Sequence, residues 1–336
     1  MTATGLPLDD VTDQLVGVFR DPAILIGIPL ALLGAVFMSF GAQYQHRGVT
    51  KVERITGTSG SEGLSLRQLL SLLRRPSWVA GTLMLGLAIV CQLSALAFAP
   101  LILVQPLGAI SLVITTLLNA RISGHKPTRQ SVRSIVACVG GIFVFVTIAA
   151  FVAVETPLTQ AQLLTVLVML GIVLVMLAGT WMLVRKRAHP LFYIVASGIL
   201  YGFVATLAKI VIKRLQSGDV EWMTVLCIVG LLAAAGLGAY FVQTAYSVGP
   251  PDLVIAGLTV VDPMVAVIIG LTVLREAATA GAWAFIGFGV AGAIAVYGVF
   301  SLARNHPQVV SESQELPIRR GSHGTDSGKP ERDPGH

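Results

Sequence analysis

Charge is scarce in this chain of 336 residues: Asp, Glu, Lys and Arg together make up 12% of it, whereas about a quarter is usual for a soluble domain. Apolar residues make up 54% and gather into long stretches rich in Leu, Val, Ala, Ile and Gly. An aqueous fold does not bury that much apolar surface, so a soluble globular class is excluded and lipid is the solvent. Cysteine is equally sparse. Cys91, Cys138 and Cys227 fall inside apolar stretches with neither metal-ligand nor disulfide spacing, and they read as packed thiols. Apolar character is also scarce at the start: the first twenty residues carry Asp9, Asp10 and Asp13 and neither a basic n-region nor an apolar core, so no cleavable signal is expected and the first span is expected to direct insertion itself. No Ser-His-Asp set, zinc pattern or phosphate-binding loop stands out, and His46, His125 and His189 stand singly beside apolar stretches. The chain is therefore not expected to be an enzyme, and no cofactor is assigned to it.

Nine stretches are long and apolar enough to cross a bilayer, which takes about 20 residues as a helix. They are expected at residues 23–43, 78–99, 101–118, 132–152, 161–184, 191–212, 222–246, 251–274 and 281–303. The formal charge of +6 does not indicate nucleic acid here, because the basic residues flank the apolar spans and set their orientation. With nine spans the two termini lie on opposite sides. One set of alternate connections then holds eighteen Lys and Arg and the other five, so the N-terminus is expected outside and the C-terminus in the cytoplasm. The richness in Ala, Val and Gly, without an Asn-x-Ser/Thr site, suits a bacterial inner membrane.

Residues 64–75 place Leu66, Leu69, Leu70 and Leu73 on one helical face and Arg67, Ser71 and Arg74 on the other, ending at Pro76. This segment is expected to be a cytoplasmic amphipathic helix on the lipid surface, or alternatively a helix packed on other loops. Residues 305–336 turn to Ser, Gly, Pro, His and mixed charge, the composition of a disordered tail.

The chain also carries a weak internal repeat. Trp78 opens a span that runs through Ala95-Leu-Ala-Phe-Ala-Pro100 and Gln105-Pro106 to Arg121 and a span with Gly140-Gly141. Trp222 opens one that runs through Thr244-Ala-Tyr-Ser-Val-Gly-Pro250 and Asp262-Pro263 to Arg275-Glu276 and a span with Gly287 and Gly289. The fold class expected is all-α and polytopic: an N-terminal segment 1–22, a first four-helix unit 23–153, a linking helix 161–185, a second unit 190–304 and the tail 305–336. Because each unit has four spans and one span links them, the second is inverted relative to the first, as in carriers that work by alternating access.

The stretch Pro251-Asp-Leu-Val-Ile-Ala-Gly-Leu-Thr-Val-Val-Asp-Pro263 through Arg275-Glu276, followed by the Gly-rich last span, resembles the drug/metabolite transporter superfamily, its EamA-like members in particular. Ala95 to Ser111 is similar to the corresponding stretch of the NIPA-type magnesium transporters. The resemblance implies a secondary transporter. Against that family's pattern, Asn119-Ala-Arg121 stands where the first unit normally carries an acidic residue.

Asp262 alone among the carboxylates falls near the middle of an expected span. An ionised Asp at that depth costs about 2.5–3.5 kcal/mol, so it is expected to face a cavity or a partner; a neutral or hydrogen-bonded carboxyl that serves only stability is the alternative. Pro263 has no N–H and leaves the carbonyl of Thr259 without its usual helical partner. Gln105 and Pro106 repeat that arrangement with an amide. Gln92 and Gln243 occupy corresponding spans and are candidates to line a cavity or to bond between helices. Lys209, about one turn inside the end of its span, either snorkels to the headgroups or pairs with Asp262 or an anionic substrate. These eight residues form the candidate substrate site.

The leading expectation is a carrier of small metabolites or drug-like solutes. A magnesium or other divalent cation transporter is the alternative, since Mg²⁺ takes oxygen ligands and keeps several waters. A membrane scaffold subunit of an envelope-assembly complex is the third. The partners expected are membrane lipids and a small-molecule or cation substrate, with no nucleic acid; assembly into a homo-oligomer is compatible with the sequence.

Overall fold

The computed structural model describes residues 22–56, 75–122, 128–155, 157–184, 190–248, 251–278 and 280–304. The amphipathic segment expected at 64–75, the N-terminal segment and the tail lie outside these residues, apart from Arg75 and Pro22. The described residues form ten helices: α1 (Pro22–Thr56), α2 (Pro76–Phe98), α3 (Leu101–Gly108), α4 (Ile110–Ile122), α5 (Arg129–Val152), α6 (Gln160–Val184), α7 (Pro190–Ser217), α8 (Trp222–Val248), α9 (Pro251–Thr272) and α10 (Ala282–Arg304). The chain is an all-α, polytopic membrane protein. Eight spans are long and apolar enough to cross a bilayer, α3 and α4 together supplying one of them. The ninth expected span is α9, 22 residues long and apolar over Gly257–Thr272.

The third span is not one straight helix, as the hydropathy alone suggests. Pro106 has no N–H to give to Ile102, and the amide of Ala109 closes a tight turn on the carbonyl of Pro106 at 3.2 Å, so the rod breaks into α3 and α4. Pro263 leaves α9 continuous. There Val261 and Val265, on either side of the proline, lie against Gly198 and Gly202 of α7, and this close packing braces the helix.

Outward-facing apolar side chains confirm that lipid is the solvent: Leu183 is 89% exposed, Val175 73% and Phe143 71%, a surface that water would not tolerate in bulk. Trp222 and Trp283, also exposed, begin α8 and α10 at the same end of the bundle, where amphipathic rings favour the membrane–water boundary. The core sits on α7, whose span is 61% buried, whereas α6 is only 17% buried and lies at the periphery. Helix contacts rely on small residues. On α2 the buried positions Gly81, Ala88, Cys91 and Ala95 form one stripe against α1, and α5 crosses α10 where a Cβ on Gly141 would come within 2.6 Å of the amide nitrogen of Ala295.

The pairings in the first four spans have counterparts in the last four. α1 packs on α2 as α7 packs on α8; α1 meets α3 and α4 as α7 meets α9; and α5 packs on α10, the last helix of one half on the last of the other.

Candidate functional site

The middle of the bundle is organised by α9 against α7. Without side chains at Gly198 and Gly202, α7 lets α9 approach until an added Cβ at Gly198 would lie 2.6 Å from the Cβ of Val261 and 3.4 Å from the amide nitrogen of Asp262. This sets Asp262, twelfth of the 22 residues of α9, against the most buried helix. Its Oδ1 is buried without a hydrogen-bond partner, and the phenol of Tyr201 on α7 lies within its electrostatic reach. A carboxylate oxygen in that condition is costly unless a cation or a donor joins it. On the other side of α9 lies a cavity of about 100 Å³ lined by Pro106, Ala109, Ile142, Phe145, Thr259, Pro263 and other apolar residues from α5, α9 and α10.

The eight candidate residues divide accordingly. Pro106, Thr259 and Pro263 meet in the small cavity, and Asp262 is adjacent to them in α9. Gln105 is buried in α3. Gln92 is half-buried on α2, its backbone beside Gly34 of α1. Gln243 is exposed on the outer face of α8. Lys209 is elsewhere, and its place is a finding of its own.

Lys209 neither snorkels outward nor pairs with Asp262. It is 4% exposed, and its Nζ donates to three oxygens: Glu276 Oε1 at 2.9 Å, Glu155 Oε1 at 3.1 Å and the carbonyl of Ala99 at 3.1 Å. All three ammonium donors are thereby used. Glu276, buried as well, does two jobs. Its Oε1 also accepts from the amide of Leu101 and its Oε2 from that of Ile102, both at 2.9 Å, so it caps the N-terminus of α3, where orphan amides and the helix dipole both favour an anion. Glu155, following α5, accepts from Lys213 through Oε2 at 2.6 Å. Two carboxylates and two ammonium groups thus balance in charge, the condition under which such groups are tolerated at low dielectric.

A cavity of about 330 Å³ adjoins this cluster, lined by Glu155, Lys209, Lys213, Glu276, Ser217 and Asp219 among others. At its rim Arg214 donates to Thr224 Oγ1 at 3.2 Å and pairs with Glu221 at 3.3 Å and Asp219 at 3.8 Å. Glu155 and Glu276 were not among the residues picked from sequence. The available signal was Lys209 itself, a charge inside a span end that needs carboxylates at neighbouring span ends. Among the described residues, no group of three or more His, Cys, Asp or Glu side chains is placed to hold a metal ion.

Comparison with known proteins adds a family. The model of the family described as magnesium transporter NIPA matches residues 23–218, more than half of the chain; Lys209, Glu155 and Gln105 lie inside the match, Asp262 and Glu276 beyond it. An uncharacterized protein of Corynebacterium glutamicum is 26% identical over 291 residues, covering 83% of this chain and 95% of its own length. A protein of Arabidopsis thaliana named "Probable magnesium transporter NIPA1" is 28% identical over 120 residues, 36% of this chain and 34% of its own. No solved structure matches.

Proposed function

Since the chain belongs to the magnesium transporter NIPA family, we propose that it is a secondary transporter that moves Mg²⁺ or a related divalent cation by alternating access. The observation that carries the cation reading is Asp262 Oδ1, a carboxylate oxygen buried at mid-span without a hydrogen-bond partner. A hard cation supplies what that oxygen lacks. Mg²⁺ binds oxygen at about 2.0–2.1 Å and keeps several of its waters, so one carboxylate with a few neutral oxygens suffices. The carbonyl of Thr259, which Pro263 leaves without its helical donor, and the amide of Gln105, buried in α3, are the candidates to supply such oxygens.

The family match favours the cation over the metabolite that the sequence put first. Pockets for drug-sized ligands measure about 300–1,000 Å³, whereas the mid-bundle cavity holds about 100 Å³. The matched pairings of the two halves support the inverted four-plus-four arrangement and rocking of one half on the other, with the linking helix α6 outside the moving core.

Purified protein in liposomes tests the reading. Mg²⁺ uptake is expected to be saturable and inhibited by other divalent cations but not by organic solutes, and Asp262→Asn is expected to abolish it while leaving the unfolding midpoint near wild type. Flux of organic solutes without Mg²⁺ would return the metabolite reading. Absence of any flux would favour the scaffold, and normal Mg²⁺ flux in Asp262→Asn would remove Asp262 from the site.

A further inference from the structure

We propose that Lys209, Glu155 and Glu276 form a gate that closes one end of the translocation route, with the Lys209 ammonium as its latch. The proposal rests on the alternating-access reading above but not on the identity of the substrate.

The three side chains come from separate elements: Lys209 from the C-terminal half of α7, Glu155 from the segment after α5, and Glu276 from the turn after α9. The fourth element is the start of α3, held by Glu276 through Leu101 and Ile102 and by Lys209 through the carbonyl of Ala99. α3 and α5 precede the linking helix α6, whereas α7 and α9 follow it. The latch therefore fastens one half of the bundle to the other, where a carrier that rocks its halves must part.

Its depth agrees with that role. Ten residues separate Asp262 from Thr272 at the end of α9, and eleven separate Gly198, which faces Asp262, from Lys209 on α7. At 1.5 Å per residue both helices put the latch roughly 15 Å from Asp262 along the bundle. The cluster stands between that residue and the cavity of about 330 Å³ at the end of the bundle.

Every ion pair between described residues lies at the latch end. Toward the opposite end, neutral hydrogen bonds between described residues also cross helices, such as Ser134 Oγ to Ser301 Oγ at 2.7 Å and Ser39 Oγ to the carbonyl of Ser111 at 2.8 Å. With Lys209 bonded to all three oxygens, the latch is closed in this structure. Glu155 is the side from which it opens: its side chain is 33% exposed against 5% for Lys209 and 4% for Glu276, and it faces the cavity, where an arriving cation competes with Lys209 for its Oε1.

The test reads access rather than flux, so it stands whatever the carrier moves. In a background without the three native thiols, Thr259→Cys is labelled in sided vesicles by a membrane-impermeant maleimide added at each face in turn. From the latch face, labelling is expected to be slow in the parent. It should accelerate by about tenfold or more in Lys209→Met, and by less in Glu155→Gln, because loss of a buried pair shifts a two-state equilibrium by at least that factor. From the opposite face it is expected not to rise. Should Lys209→Met fail to fold, the pair Lys209→Met with Glu276→Gln removes both charges and keeps an amide oxygen for the α3 amides. Unchanged labelling from the latch face in the folded variants would overturn the gate, even in a protein with normal Mg²⁺ flux. Accelerated labelling in a protein without Mg²⁺ flux would leave the gate standing and remove the substrate.

Discussion

Glu276 binds two backbone amides and one ammonium with two oxygens, all three bonds at 2.9 Å and all out of water. Removing such a carboxylate takes one of the three partners of a buried cation and uncaps the start of a helix, and breaking a buried pair in this way costs about 3–5 kcal/mol. Glu276→Ala is therefore expected to lower the unfolding midpoint strongly in detergent. Asp219→Asn should change it little, because Asp219 is 59% exposed and its pair with Arg214 spans 3.8 Å, and surface pairs contribute about 0–1 kcal/mol. A thermal melt of both variants against wild type checks the contrast. Of the residues in this cluster, only Lys209 was picked as a site residue from the sequence, Glu276 entering only as the acidic end of the repeat. A lysine near a span end states its need for an anion or a headgroup, but its partners lie 54 and 67 positions away, and hydropathy sorts Glu155 and Glu276 with the loop charges. Asp262 was legible for the opposite reason: a charge in the middle of an apolar run is anomalous wherever the fold places it.

Helices were the most legible level, since each span is announced by an unbroken apolar run of sufficient length. Their interruptions were not. Pro106 and Pro263 look equivalent in the chain, yet only the first breaks its helix, because α7 braces α9 through Gly198 and Gly202. The end of α9 carries a feature without any sequence signal. Amides at 273, 274 and 276 turn back to the carbonyls of Ile269 and Gly270, and this closure forces Arg275 to φ 56. A side chain in the left-handed region costs roughly 1–2 kcal/mol, and the helix-ending position normally goes to glycine. Arg275 is exposed, so Arg275→Gly is expected to raise stability by about 1 kcal/mol, measured as a higher unfolding midpoint. Arg275→Val should lower it. Equal midpoints for all three would mean that the turn relaxes at no cost.

At the scale of the whole molecule, α1 packs on α2 as α7 packs on α8, and the repeat read from Trp78 and Trp222, Gln105-Pro106 and Asp262-Pro263 stays a proposal about how the two halves are related. In the orientation that the eighteen-to-five division of Lys and Arg predicts, the proposed latch faces outside. Ser217→Cys, beside the latch, is expected to react with an impermeant thiol reagent in intact cells, and Ser322→Cys only after permeabilisation; reaction of both from one side would refute the nine-span count. The bond between Glu276 and the start of α3 also dictates an order of assembly. Leu101 and Ile102 leave the ribosome 175 and 174 residues before their acceptor. Through the synthesis of α5 to α9 those two amides lack the carboxylate that caps them in the finished protein, so the first half cannot complete its own third span. A nascent chain stopped short of Glu276 keeps those two amides uncapped, so a truncation late in the chain reaches back to its first half.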